Sequence, residues 1–221
     1  MRAADTAERK PWLVVSERWA REGLRCILLG MKIRDSGMPD EHSWERLFDA
    51  RHVLRQLRLT RGNEDVVDFG CGYGTFSIAA ARMTKGTIYA LDIDPNMVAQ
   101  TACRAQQLGL ANVCAIETDL LVNGAGLPTS SVDYVMLFNI LHAEEVMELL
   151  REARRVLRPD GTLGIIHWIH DERTPRGPPL SIRPRPEQCA EWTADAGFQL
   201  FGPPIELPPY HYGLVVRKPL R

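Results

Sequence analysis

The sequence predicts an α/β domain: a mainly parallel sheet with helices on both faces. Three observations carry this. The short apolar run Val66-Val67-Asp68-Phe69 leads into Gly70, Gly72 and Gly74 at alternate positions, then into a small-residue run of helical character. That order reads as a buried strand, a tight turn free of Cβ atoms and a helix start. From there strand-type and helix-type segments alternate, which implies parallel strands joined by crossover helices. Finally, 221 residues with 45% hydrophobic and 25% charged content suit one globular α/β domain with a modest additional piece.

In order along the chain, residues 1–59 form an N-terminal section ahead of the first central strand. Residues 12–15 with Trp19, Leu24, Ile27 and Leu28 can share one helix side, and a turn over 36–39 precedes a second helix over about 44–59. Strand one, residues 66–69, is followed by a helix over about 75–83. Strand two covers 87–91, and the helix after it begins at Pro95, a residue suited to a first turn, and reaches Leu108. Strand three covers 113–117. Residues 123–130, with Gly124, Gly126 and Pro128, read as loop before strand four over 132–138 and a helix over about 143–156. Arg158-Pro159-Asp160-Gly161 marks a turn before strand five over 162–167. Residues 171–186 hold five prolines and four arginines with no periodicity, which suits a functional or mobile loop. A helix over about 186–196 ends at Gly197, and closing strands over 198–201 and 212–217 flank a Pro-rich turn at 202–209.

Net charge is -1, so bulk electrostatics does not draw the chain to nucleic acid. The apolar tract 26–30 is too short to span a bilayer, and no secretory signal is visible. Five cysteines without a CxxC pair suggest reduced thiols and a cytoplasmic setting.

Ligands in such a sheet sit beyond the carboxyl ends of the strands. There the sequence places Asp68 with the glycines, Asp92 and Asp94, Asp119 and Leu120, Asn139, Leu141 and His142, then His167, Trp168 and His170. Asp92 follows Gly74 by 18 residues, and a carboxylate there can accept both hydrogens of a ribose diol. Asp94 suits a cap. Asp68 beside the turn disfavours a pyrophosphate and suits a cationic or amino-bearing ligand.

The run Asp68-Phe69-Gly70-Cys71-Gly72-Tyr73-Gly74-Thr75 resembles the first motif of the class I S-adenosylmethionine-dependent methyltransferases. Residues 90–97 resemble their second motif, and residues 149–163, with Arg-Val-Leu-Arg-Pro-Asp-Gly-Thr-Leu, resemble their signature after strand four. The likeness runs from about residue 60 to 217 and is nearest the small-molecule ubiquinone/menaquinone-biosynthesis-like group. It implies a Rossmann-like seven-stranded, mainly parallel sheet with helices on both faces and an antiparallel last strand at 212–217. Residues 60–221 would be the methyltransferase domain and residues 1–59 a helical extension that covers or lids it. The N-terminal section and the Pro/Arg loop depart from that group, so its quinone substrate is not carried over.

Carried residue by residue, the resemblance places Asp68 and Gly70 by the methionine amino group and Gly72 on its carboxylate side, with Cys71 and Tyr73 in the same loop. It gives Asp92 the ribose hydroxyls, Ile93 a packing place on the adenine, Asp119 and the Leu120 backbone the adenine edge, and Asn139 the methionine side. Methyl transfer needs an aligned nucleophile and sometimes a base, and His142 and His167 are the candidates by position, ahead of His170 and His211. Arg173, Arg176, Arg183 and Arg185 are either an anion clamp or a solvated surface set, and Tyr210-His211-Tyr212 either pocket wall or core. The expected function is therefore methyl transfer from S-adenosylmethionine to a small-molecule acceptor, anionic or aromatic, by a monomer or homodimer and with no metal. The alternatives are a metalloid methyltransferase using Cys71 and Cys189, a protein or RNA methyltransferase, and a non-catalytic S-adenosylmethionine-binding protein.

Overall fold

The computed structural model describes residues 40–59, 62–143 and 145–220. The expected helix around Trp12–Leu28 and the turn at 36–39 lie outside them. Two short helices come first, α1 (Glu41–Glu45) and α2 (Ala50–Gln56), where the sequence suggested one. Asp49 divides them: its side chain accepts from His52 N at 3.1 Å and so starts α2 afresh. The alternation then runs β1 (Val66–Phe69), α3 (Thr75–Ala81), β2 (Ile88–Asp92), α4 (Pro95–Gln107), β3 (Val113–Glu117), α5 (Leu120–Asn123), β4 (Val132–Phe138) and α6 (Val146–Val156). β5 (Leu157–Trp168), α7 (Pro186–Asp195), β6 (Gln199–Leu200), β7 (Ile205–Leu207) and β8 (His211–Arg217) complete it.

The sheet order is β3-β2-β1-β4-β5-β8-β6, with β7 also on β8. β1 to β5 are mutually parallel, and β8 is antiparallel to β5. β6 meets Val216–Arg217 of β8 whereas β7 meets His211–Gly213. The two short strands therefore share one edge position, and the sheet has the expected seven places. β7 falls inside what read as a Pro-rich turn; only Ile205, Glu206 and Leu207 escape the prolines, too few for a visible period. The expected turn at Arg158–Gly161 persists as an irregularity in β5, where the register shifts opposite Val132/Tyr134 and Asp160 takes φ 62.

Each face of the sheet buries its own apolar layer. On one, α6 presents Val146, Leu150, Ala153 and Val156, a helical stripe of buried side chains. On the other, Val53, Leu54 and Leu57 of the N-terminal section pack with α3 against Tyr134, Met136 and Ile166. The Tyr134 hydroxyl donates to Leu57 O at 2.9 Å, and Gly164 leaves it room, since a Cβ there would lie 2.1 Å from that oxygen. Glu41 and Glu45 of α1 both pair with Arg104 of α4, and Gln100 also bonds Glu41. The N-terminal helices are thus fastened to the same body that carries the strand ends.

Candidate functional site

The strand ends surround one cavity of about 570 Å³. Its floor is the glycine loop after β1. Gly70, Gly72 and Gly74 take φ of +76°, +51° and +73°, in the left-handed region that side chains avoid. A Cβ on Gly74 would also lie 2.6 Å from Thr101 Oγ1 on α4. The N–H groups of Gly70 and Cys71 both donate to Leu91 O of β2 at 2.8 Å, which folds the loop back onto the sheet.

Asp92 anchors this loop from the end of β2. One carboxylate oxygen accepts from Gly72 N at 2.8 Å and the other from Asp94 N at 3.0 Å. The same carboxylate lines the cavity, with its orientation set by the backbone. Burial raises the pKa of its carboxyl, and the two N–H donors oppose that rise. Asp68 is 2% exposed and accepts from Ser77 Oγ at 2.6 Å. Burial pushes its carboxyl up to about 7; the Ser77 hydroxyl pulls it down and the Asp92 charge adds to the rise.

Asp94 and Asp119 act as helix caps as well as cavity wall. Asp94 accepts from Asn96 N at 2.8 Å ahead of Pro95, and Asp119 from Leu121 N at 3.0 Å. The helix that Asp119 caps, α5, lies next to the loop expected at 123–130 and spans a single turn, too short for a periodic signal. Ile93, Leu120, Gly70, Cys71 and Gly72 also line the cavity; Tyr73 does not.

At the end of β4, Asn139 takes φ 57 while its N–H donates to Ile166 O at 2.7 Å. Both amide atoms of its side chain are buried without a partner, and the residue lines the cavity. Such a pair calls for a ligand or water. His142 lines the same wall with Nδ1 buried and unpartnered, and burial lowers its basicity. His167 lies behind it and does not reach the cavity: it is fully buried, its ring centroid is 5.6 Å from that of His142, and its Nδ1 is 3.5 Å from Trp168 O. Burial, with His142 and Arg183 adding to it, holds His167 down at about 3. His170 Nδ1 is 2.9 Å from Arg183 O, and His211 is enclosed by Trp168, Phe48 and Trp44.

The arginines of the Pro-rich loop do not face the cavity. Arg173 forks onto Asp171 at the surface. Arg183 is 6% exposed and donates to the carbonyls of Pro178 and Ile169 and to Thr174 Oγ1, while its guanidinium lies 5.9 Å from the Trp168 ring. It is the hub that folds residues 171–183 onto the end of β5. Arg183→Met should therefore lower unfolding free energy by about 3 kcal/mol or more, because several buried carbonyls lose their only charged donor; urea melts measure this. Arg183→Lys should recover little, since an ammonium cannot span the same acceptors.

Cys71 lines the cavity, but Cys189 is buried with Sγ 3.3 Å from the Tyr212 hydroxyl, which donates to Pro184 O. Burial pushes Cys71 well above its ordinary range and Cys189 to about 11, so both remain thiols at neutral pH. Among the described residues Cys71, Cys114 and Cys189 are free thiols.

Among the wall residues that sequence reasoning did not place there are Trp44, Phe76, Phe138, Glu145 and Ile182. Trp44 and Phe76 carried only a helical period, which says "buried" without saying against what. Among the described residues no helix is long and apolar enough to cross a membrane.

Comparison with known proteins agrees with this geometry. Residues 66–161 match the family model described as a methyltransferase domain. A SAM dependent methyltransferase from Aquifex aeolicus superimposes with a TM-score of 0.72 at 28% identity, covering 81% of this chain and 94% of that one. The [4+2]-cyclase SpnF, 20% identical, shares the fold at a TM-score of 0.67, with 87% of each chain covered. Demethylmenaquinone methyltransferase of Listeria welshimeri is 29% identical over 119 residues, 52% of this chain and 49% of that protein. Ribosomal protein L11 methyltransferase of Pasteurella multocida is 31% identical over 103 residues, 47% of this chain and 33% of that one. The chain thus spans less than half the length of these curated relatives.

Proposed function

We propose, from the premise that this chain has the S-adenosylmethionine-binding class I methyltransferase fold, that it transfers the donor's methyl group to a small-molecule acceptor. One observation carries the reading. Asp68, Asp92, Asp119 and Asn139, from the ends of four different strands, meet at one cavity, and Asn139 brings two buried polar atoms with no partner. The volume, about 570 Å³, is in the range of small-molecule sites.

The residues present fit the donor. Asp92, already oriented by Gly72 and Asp94, would accept the ribose hydroxyls. Asp119 and the Leu120 backbone would meet the adenine edge and Ile93 its face. Asp68, Gly70 and Asn139 would hold the amino-acid end, with Gly72 and Cys71 forming the floor beneath it. When bound, S-adenosylmethionine supplies a methyl group that its sulfonium has already activated for direct displacement.

What the chain adds is alignment, exclusion of water and a proton acceptor. His142 is neutral at pH 7 because burial opposes its charging, so its imidazole is free to take a proton from an acceptor hydroxyl or amine. His167, further inside, would hold the His142 ring in place. His142→Ala should reduce single-turnover methyl transfer about 100-fold while leaving S-adenosylhomocysteine affinity within twofold. Activity unchanged by this substitution would remove His142 as the base. As the His142 pKa is lowered, turnover should stay level down to its ordinary value of 6.5 and decline only below it.

Titration with S-adenosylhomocysteine tests the site itself, and a donor-consumption screen over phenols, amines, thiols and acids tests the reaction. Absence of binding at millimolar ligand rules the reading out. Binding without turnover on any acceptor would favour a non-catalytic S-adenosylmethionine-binding protein.

A further inference from the structure

We infer that the acceptor is an aromatic molecule that is uncharged or positively charged, and that anionic acceptors are refused. The inference rests on the methyl-transfer reading and adds the acceptor's chemical class to it. The cavity divides at the glycine loop. Over β1 to β3 it is walled by the carboxylates assigned to the donor. Over β4 and β5 it is walled by Phe138 and Trp168 from the strand ends, Phe76 from α3 and Trp44 from α1. Phe76 meets Phe138 edge to face at 4.7 Å, and Trp44 lies 6.4 Å from Trp168. These rings, set at 74° and 51° to one another, make an apolar aromatic wall against which another ring can pack.

Charge then decides between acceptors that such a surface would hold equally well. Among the described residues that line the cavity there is no lysine or arginine, whereas Asp68, Asp92, Asp94, Asp119 and Glu145 all do. The loop's buried cation, Arg183, lies against Trp168 with its N–H groups bonded to backbone carbonyls and Thr174. It therefore offers nothing to a bound carboxylate. Glu145 stands apart from the donor carboxylates: it follows the His142 segment, is exposed, and makes no side-chain cap to α6. An anion entering beside it would lose water, gain no donor and face like charge. A cation would meet Glu145 and an aromatic wall.

The test uses three probes with one ring system and different charge: tryptamine, indole-3-ethanol and indole-3-acetate. Each is titrated calorimetrically into the full chain saturated with S-adenosylhomocysteine. Tryptamine and indole-3-ethanol should bind at least tenfold more tightly than indole-3-acetate. In Glu145→Lys the amine-to-acid affinity ratio should drop at least fivefold, with the alcohol unchanged. The inference is overturned if the acid binds as well as the amine, if none of the three binds at millimolar concentration, or if Glu145→Lys leaves the ratio in place. Failure of S-adenosylhomocysteine to bind at the outset would instead sink the underlying reading of the site, so the two failures are distinct.

Discussion

Replacing Asp92 with alanine is expected to weaken S-adenosylhomocysteine binding about 100-fold or more. A hydrogen bond to a charged acceptor contributes about 1.5–3 kcal/mol, and a ribose diol would place two on this carboxylate. Tenfold in affinity corresponds to about 1.4 kcal/mol, so the direct loss alone reaches two orders of magnitude. The structure adds a second loss. Gly72 N and Asp94 N both donate to Asp92, so the alanine variant also frees the glycine loop and the turn before α4. Asp92→Asn tells the two apart. An amide can still accept one of those N–H groups but meets the other with a donor, so it should bind with intermediate affinity, about tenfold weaker than the native chain. Calorimetry on the three proteins, with thermal midpoints as a control for folding, gives the comparison. Native-like affinity in Asp92→Ala would mean that the ribose does not lie against this residue.

The sequence made the strand ends legible because their chemistry is local. An apolar run that ends in Asp68, Asp92 or Asp119 announces both the strand and the polar group beyond it, and these three residues do share one cavity. Depth was not legible, because depth is decided by segments far away in the chain. His167 looked equivalent to His142, yet the pairing of β8 beside β5, with Tyr212 opposite His167, encloses it fully. Arg183 read as either part of an anion clamp or a surface cation, yet the prolines around it deny that loop its own N–H···O ladder, and the guanidinium supplies the missing donors. Trp44 read as one more helical apolar residue. The docking of α1 onto α4 through Arg104, and ring contacts with Trp168 and His211, bring it to the cavity. The tightest turns were also out of reach: α5 and β7 are four and three residues long, below the length at which a period can be counted.

The acid stability of the chain should hinge on Asp68, because buried groups of opposite sign nearly cancel. His167 is held at about 3 in the fold against an ordinary 6.5. Between those values the unfolded chain binds the proton and the folded one does not, so stability is full above 6.5 and declines as pH falls. From pH 7.5 to 4.5 that loss is about 3 kcal/mol. His211, held well below its ordinary value by burial and by its neighbours His167 and Arg183, pulls the same way. Asp68 works in reverse. Its carboxyl stands at about 7 in the fold against 3.8 unfolded, so the folded chain holds a proton that the unfolded chain has lost, and stability rises as pH falls through the window. Over the same interval that gain is also about 3 kcal/mol. The native chain should therefore change only by what the other shifted groups add: His211 and His142, both lowered by burial, subtract stability as pH falls, and Asp92, raised by burial, opposes them. Asp68→Asn keeps an acceptor for Ser77 Oγ but removes the compensating proton, and its unfolding free energy should fall by about 3 kcal/mol more than the native value between pH 7.5 and 4.5. His167→Phe should show the opposite slope. Urea melts at the two pH values decide it: parallel behaviour in all three proteins would mean that neither group is buried in the charge state the fold implies.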